Sequence, residues 1–198
     1  MAYSDFTLSL VRERLGLTYD EVIGTFDGAE LVEPSELLRA NIERGLPIAL
    51  GKGREKARSE ALVLPILLEV REVLLRQVSV FSGPEFNIDR KKGLAGYCDF
   101  LVGRSSHQTE ILAPVIAIVE AKHEDLTSGI PQCLAEMHAA RIFNEREGNP
   151  IETVYGVTTS GTAWRFLRLT GTHAQADMTE YHIREIEKVL GILVFMAT

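Results

Sequence analysis

Between Pro114 and Lys122 the chain runs through Val115, Ile116, Ala117, Ile118 and Val119 without a polar break, then closes on Glu120-Ala121-Lys122. A short apolar run bounded by a proline and by charges predicts a buried strand. Such a strand needs material packed against it, which draws the chain toward a sheet layered with helices. Side chains alternate along a strand with period two, so Glu120 and Lys122 are expected on one face with Ile116 and Ile118, where the strand leaves the core. Upstream, Tyr97-Cys98-Asp99-Phe100-Leu101-Val102 predicts a second apolar strand with a carboxylate inside it, flanked on its own face by Tyr97 and Leu101. Burying an ionised carboxylate costs several kcal/mol unless a cation, a metal or hydrogen-bond donors compensate. Two carboxylates and a lysine on neighbouring strands therefore point to a site.

The 198 residues suffice for one main core, here divided into a helical N-terminal segment, 1–50, and a core domain, 51–198. No apolar run approaches the ~20 residues of a transmembrane helix. The longest are Ala61 to Leu68 and Val189 to Ala197, so no membrane contact and a cytoplasmic location are expected. Cys98 and Cys133 lack a CxxC pairing and read as buried thiols. The five histidines show no zinc-ligand spacing, so any metal should be held by oxygen. The formal charge of −7 opposes polyanion binding unless basic residues cluster locally.

Short helices and loops are expected up to about Leu50, with Pro34-Ser35-Glu36 opening a helix. A basic linker, Gly51 to Arg58, then leads into a longer helix from Ser59 to about Gln77, in which Pro65 lies too deep for the favoured first position. From Val78 to Ala121 short apolar runs separated by Gly/Asp/Asn turns predict an antiparallel meander. A helix from Ile130 to about Glu147 follows, stopped by Gly148-Asn149-Pro150. Thr153–Thr159 and Thr162–Leu169 around Ser160-Gly161 predict a hairpin. A last amphipathic helix spans Thr179 to about Met196. The order is that of an α/β layer, with helices packed on a mixed sheet.

Phosphodiester hydrolysis needs an activated water, neutralised phosphate charge and help for the leaving oxygen, and a divalent metal between two carboxylates can serve all three. Asp99 and Glu120, with the Ala121 carbonyl, form an oxygen set suited to magnesium or manganese. Lys122 could orient the attacking water. Glu60, near the start of the long helix, could add a water-mediated contact, and Gln132, at a helix start, could position Lys122 or the water.

In the order Glu60, Asp99, Glu120-Ala121-Lys122, Gln132, the stretch from Ser59 to Leu169 resembles the PD-(D/E)XK nuclease superfamily. Within it, the chain is similar to small bacterial, especially cyanobacterial, members that carry this core after a short helical segment. The resemblance implies a restriction-endonuclease-like mixed β-sheet flanked by helices. It also implies a Mg- or Mn-dependent nuclease with Glu60, Asp99, Glu120, Lys122 and Gln132 at its site and nucleic acid, DNA ahead of RNA, as its partner. Cys98 stands where the name-giving proline would be. The helix after the ExK strand lacks the tyrosine of RecB-type members.

Each feature has an ordinary alternative. A chain of this size holds on the order of one ExK triplet by chance, and Asp89-Arg90-Lys91 spells a similar triplet in a charged turn. Glu120 and Lys122 could be a strand-end ion pair facing water, and Asp99 a carboxylate satisfied by backbone N–H groups. Acids favour the first turn of a helix, which would account for Glu60. Arg54, Lys56, Arg58, Arg90, Lys91, Lys92 and Arg104 are the candidate phosphate contacts. Trp164 and Phe166 read as core. The last helix's apolar face (Ile183, Ile186, Leu190, Leu193) reads as core or as the seam of a homodimer. The rival functions are a non-catalytic binding module for protein or phosphorylated-ligand partners and an assembly protein using its N-terminal helices.

Overall fold

The computed structural model describes residues 1–51, 55–121 and 125–198. Among them, eight strands join in one mixed sheet: β1 (Thr18–Val22), β2 (Ser79–Ser82), β3 (Phe100–Gly103), β4 (Val115–Ala121), β5 (Thr153–Thr159), β6 (Ala163–Thr170), β7 (His173–Asp177) and β8 (Tyr181–His182). Their order is β1-β7-β6-β5-β4-β3-β2, with β8 added beside β6. The pairs β4/β5 and β1/β7 are parallel and the others antiparallel. The parallel pair β4/β5 requires a crossover, supplied by helix α5 (Ile130–Arg146).

Helices cover both faces. On one, α1 (Leu8–Leu15) and α5 bury Tyr3, Leu101, Ile118, Leu134 and Leu167. On the other, α2 (Glu36–Leu50), α4 (Leu64–Val73) and α6 (Ile186–Ala197) bury Phe100, Val119, Trp164, Phe166 and Leu190. Every residue of β4 is buried, as its apolar run requires. The register shift between Val102 and Gly103, opposite β4, changes one expectation: Ile116 joins the second core, while Ile118 stays in the first. Only Ile118 of the two therefore shares a core with the face of Glu120.

The long helix begins earlier than its pattern suggested, at α3 (Glu55–Arg58), and passes through a π-helical turn, Ser59–Val63, before α4. That turn absorbs the conflict posed by Pro65, which lacks an N–H for the Ala61 carbonyl. Gly45 of α2 packs against this same carbonyl, in space that a Cβ would fill. Ser35 caps α2 by accepting from Leu38 N at 3.1 Å, and Glu69 of α4 fixes that cap through Ser35 N and Oγ at 2.7 and 2.8 Å.

Three differences from the sequence pattern stand out. Residues 18–22 form an edge strand where only helices and loops were expected. Residues 173–182 form β7 and β8, so the last helix starts at Ile186 rather than near Thr179. The β5/β6 turn centres on Gly161-Thr162, since Ser160 N donates to Ala163 O. The apolar face of α6, including Ile186, Leu190 and Leu193, is buried within the chain's own core. No helix among the described residues is long and apolar enough to cross a membrane.

Candidate functional site

Asp99 lies at the bend just before β3 rather than inside it, and Tyr97 points outward, 69% exposed. Phe100 faces Val119 in the antiparallel register, so the next step outward sets Asp99 opposite Glu120. Asp99 Oδ2 accepts the Ala121 N–H at 2.8 Å, which pins the loop before β3 to the end of β4. One backbone donor thus does satisfy Asp99, as the ordinary alternative had it. Glu120, by contrast, is 3% exposed and does not face water.

Asp99 and Ala121 line a cleft of about 330 Å³ whose other wall is the start of the long helix, with Lys56, Ser59 and Glu60. Glu60 thus shares an opening with Asp99, on a π-helical turn, and its carboxylate lies 3.8 Å from Lys56 Nζ. Both side chains are well exposed, so this contact contributes little to stability. Lys122 and Arg54 lie outside the described residues.

Gln132 occupies the first turn of α5 and donates from Nε2 to Glu136 Oε1 at 3.1 Å. Glu136 was not anticipated. It is fully buried, touches the Glu120 carboxyl, and its own carboxyl is pushed well above the usual carboxylate range by burial first and by Glu120 next. The nearby Cys98 thiol is raised by burial and then by Glu136 and Glu120, a sign of how much acid gathers here. The one available signal for Glu136 was its spacing from Gln132, i and i+4 on a helix.

The polar row continues across the sheet. Glu120 pairs with Thr158 on β5, and Thr158 pairs with Arg165 on β6. Arg165 is 7% exposed, donates to Thr127 Oγ1 at 2.8 Å just ahead of α5, and lies 3.8 Å from Glu180. Among the described residues it is the buried cation of this row, two strands from Glu120. The turn Asp89–Lys92 sits elsewhere, beside the C-terminal half of α5: Arg146 donates to Ile88 O at 2.8 Å, and Lys92 helps lower the pKa of His138. Asp89 accepts from Lys91 N and Lys92 N, as a solvated turn would have it. The basic residues of this turn therefore do not converge on Asp99.

Among the described residues no group of three or more His, Cys, Asp or Glu side chains is arranged to hold a metal. The narrower set of Asp99, Glu120 and the Ala121 carbonyl still suits a hard divalent ion. Its donors are all oxygen, and the buried Glu136 Oε2 beside it makes no hydrogen bond among the described residues. Comparison of the chain with known protein families and with characterised proteins finds no match.

Proposed function

We propose that the chain is a metal-dependent nuclease of the PD-(D/E)XK superfamily, on a restriction-endonuclease-like fold, that hydrolyses phosphodiester bonds in nucleic acid, DNA ahead of RNA. The observation that carries this reading is the hydrogen bond that pins Asp99 to the Ala121 N–H, one residue beyond Glu120, in a cleft that Asp99 shares with Glu60. Asp99, Glu120 and the Ala121 carbonyl would hold magnesium or manganese, which when bound neutralises phosphate charge and lowers the pKa of water. Asp99 is oriented for this by the Ala121 N–H, and Glu120 by burial against α5. Lys122 follows Ala121 directly and is the catalytic lysine that orients the attacking water. Water gives up a proton as its oxygen bonds to phosphorus, the bond to the leaving oxygen breaks, and that oxygen takes up a proton. Lys56 and Ser59 on the facing wall supply the phosphate contacts nearest the acids.

The test is cleavage of single- and double-stranded DNA and RNA with magnesium or manganese, beside calorimetry of the metal alone. Asp99→Asn keeps an acceptor for the Ala121 N–H, so it should fold while losing metal affinity and at least ~100-fold in cleavage. Lys122→Ala should keep metal binding and lose cleavage. A wild-type chain that neither binds metal nor cleaves any of the four substrates would sink the nuclease reading.

The position of the Arg90–Lys92 turn, away from the acids, favours a second reading, a binding module on the same fold. Metal binding without cleavage, together with retention of a phosphorylated ligand, would mark that case.

A further inference from the structure

Between Ser82 and Asp99 the chain doubles back on itself as a narrow two-armed ribbon. Gly83 N donates to Asp99 O at 2.8 Å, Cys98 N to Pro84 O at 3.1 Å, Phe86 N to Gly96 O at 2.8 Å and Ile88 N to Leu94 O at 2.9 Å, and the rungs end at the bridge between Asp89 and Leu94. The inner side of the ribbon, Phe86, Leu94 and Cys98, belongs to the first core, and the Tyr3 hydroxyl donates to Phe86 O at 2.7 Å, so the ribbon is held along its length. Its root is a wall of the acid cleft, where Ser82, Gly83 and Asp99 lie together. Its tip is the turn with Arg90, Lys91 and Lys92, all exposed. Arg146 of α5, donating to Ile88 O, adds a fourth cation beside the tip.

Midway between root and tip, Tyr97 stands on the outer face, 69% exposed, opposite Glu85 in an antiparallel bridge. Two acids lie on this outer part of the ribbon. Asp89 is engaged by the Lys91 and Lys92 N–H groups, and Glu85 lies 3.8 Å from Arg90 in a pair so exposed that a competing anion can displace it. Each arm, in near-extended geometry, covers roughly 17 Å. An acid cleft at one end, an aromatic face in the middle and a cluster of cations at the other end match a chain of phosphates whose bases are open to stacking. Bases inside a duplex are stacked on one another and closed to Tyr97, whereas in a single strand every base offers its π-face.

We propose that the ribbon is the track of a single-stranded nucleic acid, with one base stacked on Tyr97 and the phosphates beyond it on Arg90, Lys91 and Lys92. Local positive charge at the tip then offsets the formal charge of −7 only where the backbone passes. The inference deepens the nuclease reading and rests on it for the end of the track at Asp99. Stacking and phosphate contact need the ribbon alone.

Fluorescence anisotropy of the full-length protein in EDTA, where metal-dependent cleavage does not intervene, separates the two. The probes are a labelled single strand of about 15 nucleotides and the duplex of the same sequence. The wild type should bind the single strand more tightly than the duplex. Tyr97→Ala should weaken single-strand binding by roughly 5- to 150-fold without changing its salt dependence, and Tyr97→Phe, which keeps the ring, should restore it. Replacing both Lys91 and Lys92 by Ala should flatten the slope of log affinity against log salt by about 1.4, at ~0.7 for each phosphate lost. A duplex bound as tightly as the single strand, equal losses in Tyr97→Ala and Tyr97→Phe, or Tyr97→Ala binding at wild-type strength would each overturn the track. So would absence of binding in EDTA, while cleavage with magnesium or manganese would still uphold the nuclease reading. Single-strand binding that depends on the Tyr97 ring, with no cleavage in either metal, would keep the track and remove the nuclease.

Discussion

His138 and Glu136 lie two residues apart on α5, both buried, and burial moves them in opposite senses. Glu136 is held toward its neutral acid, so any stability it gives is present at low pH and lost as pH rises through its elevated pKa. His138 is pushed down from 6.5 to about 4 by burial, then by Arg141 and Lys92, and its Nδ1 has no hydrogen-bond partner among the described residues. Its sign is the reverse. The folded state refuses a proton that the unfolded chain takes up below about pH 6.5, so stability is full above that point and falls until about pH 4. From pH 7 to pH 4.5 this one group should cost about 2.5 kcal/mol. Urea unfolding at the two pH values measures it, with His138→Leu as the comparison, which should lack that component of acid sensitivity. Equal acid sensitivity in the two proteins would refute the assignment. Neither buried group was legible in the sequence, because every position from Cys133 to Ala140 is buried, whatever its polarity. Polar residues in such a helix look like a solvent face until the neighbouring elements are known. Asp99 and Glu120 were legible for the opposite reason, since each interrupts or ends a run whose burial was already certain.

At the scale of elements, the strand carrying the site, the crossover helix and the hairpin were readable because each had a long pattern and a stop signal. β1 and β7 were not. Thr18–Val22 carries two acids, and His173–Asp177 alternates without a β-branched residue. They are strands because they pair with each other and with β6, so pairing overrides their weak propensity. Pro65 was readable as a conflict but not as its resolution, the π-helical turn at Ser59–Val63, which widens the helix beside Glu60. The packing of Gly45 against the Ala61 carbonyl gives this junction a test. Alanine at position 45 improves helix propensity by ~1 kcal/mol, yet its Cβ meets backbone that cannot rotate aside, and overpacking costs 1–3 kcal/mol or more. The net effect expected is destabilisation by roughly 1–2 kcal/mol. Gly28→Ala, where a Cβ meets nothing within 4 Å, serves as the neutral control. A Gly45→Ala chain as stable as the wild type in urea would show that α2 and the π-helical turn are not held as closely as described.

Over the whole molecule, a single sheet separates two cores. Tyr3 belongs to the first, with Leu101 and Ile118, and Trp164, the only tryptophan, belongs to the second, with Phe100 and Val119. Phe100 and Leu101, like Ile118 and Val119, are neighbours in sequence on opposite faces, so neither core can come apart while the strands that serve the other remain straight. One cooperative unit follows, although the N-terminal residues looked separable in the sequence because nothing there announced a strand or a buried tyrosine. Tyr3 is 1% exposed and donates its hydroxyl to Phe86 O at 2.7 Å, in the loop that leads to Asp99. Tyr3→Phe keeps the ring and strands that carbonyl, which should cost ~1–3 kcal/mol. If the sheet couples the two cores, Trp164 fluorescence on the far side should report the full loss in urea, coincident with far-UV circular dichroism and with an unchanged slope. A Trp164 transition that stays at its wild-type midpoint while circular dichroism shifts would mean that the two faces unfold independently.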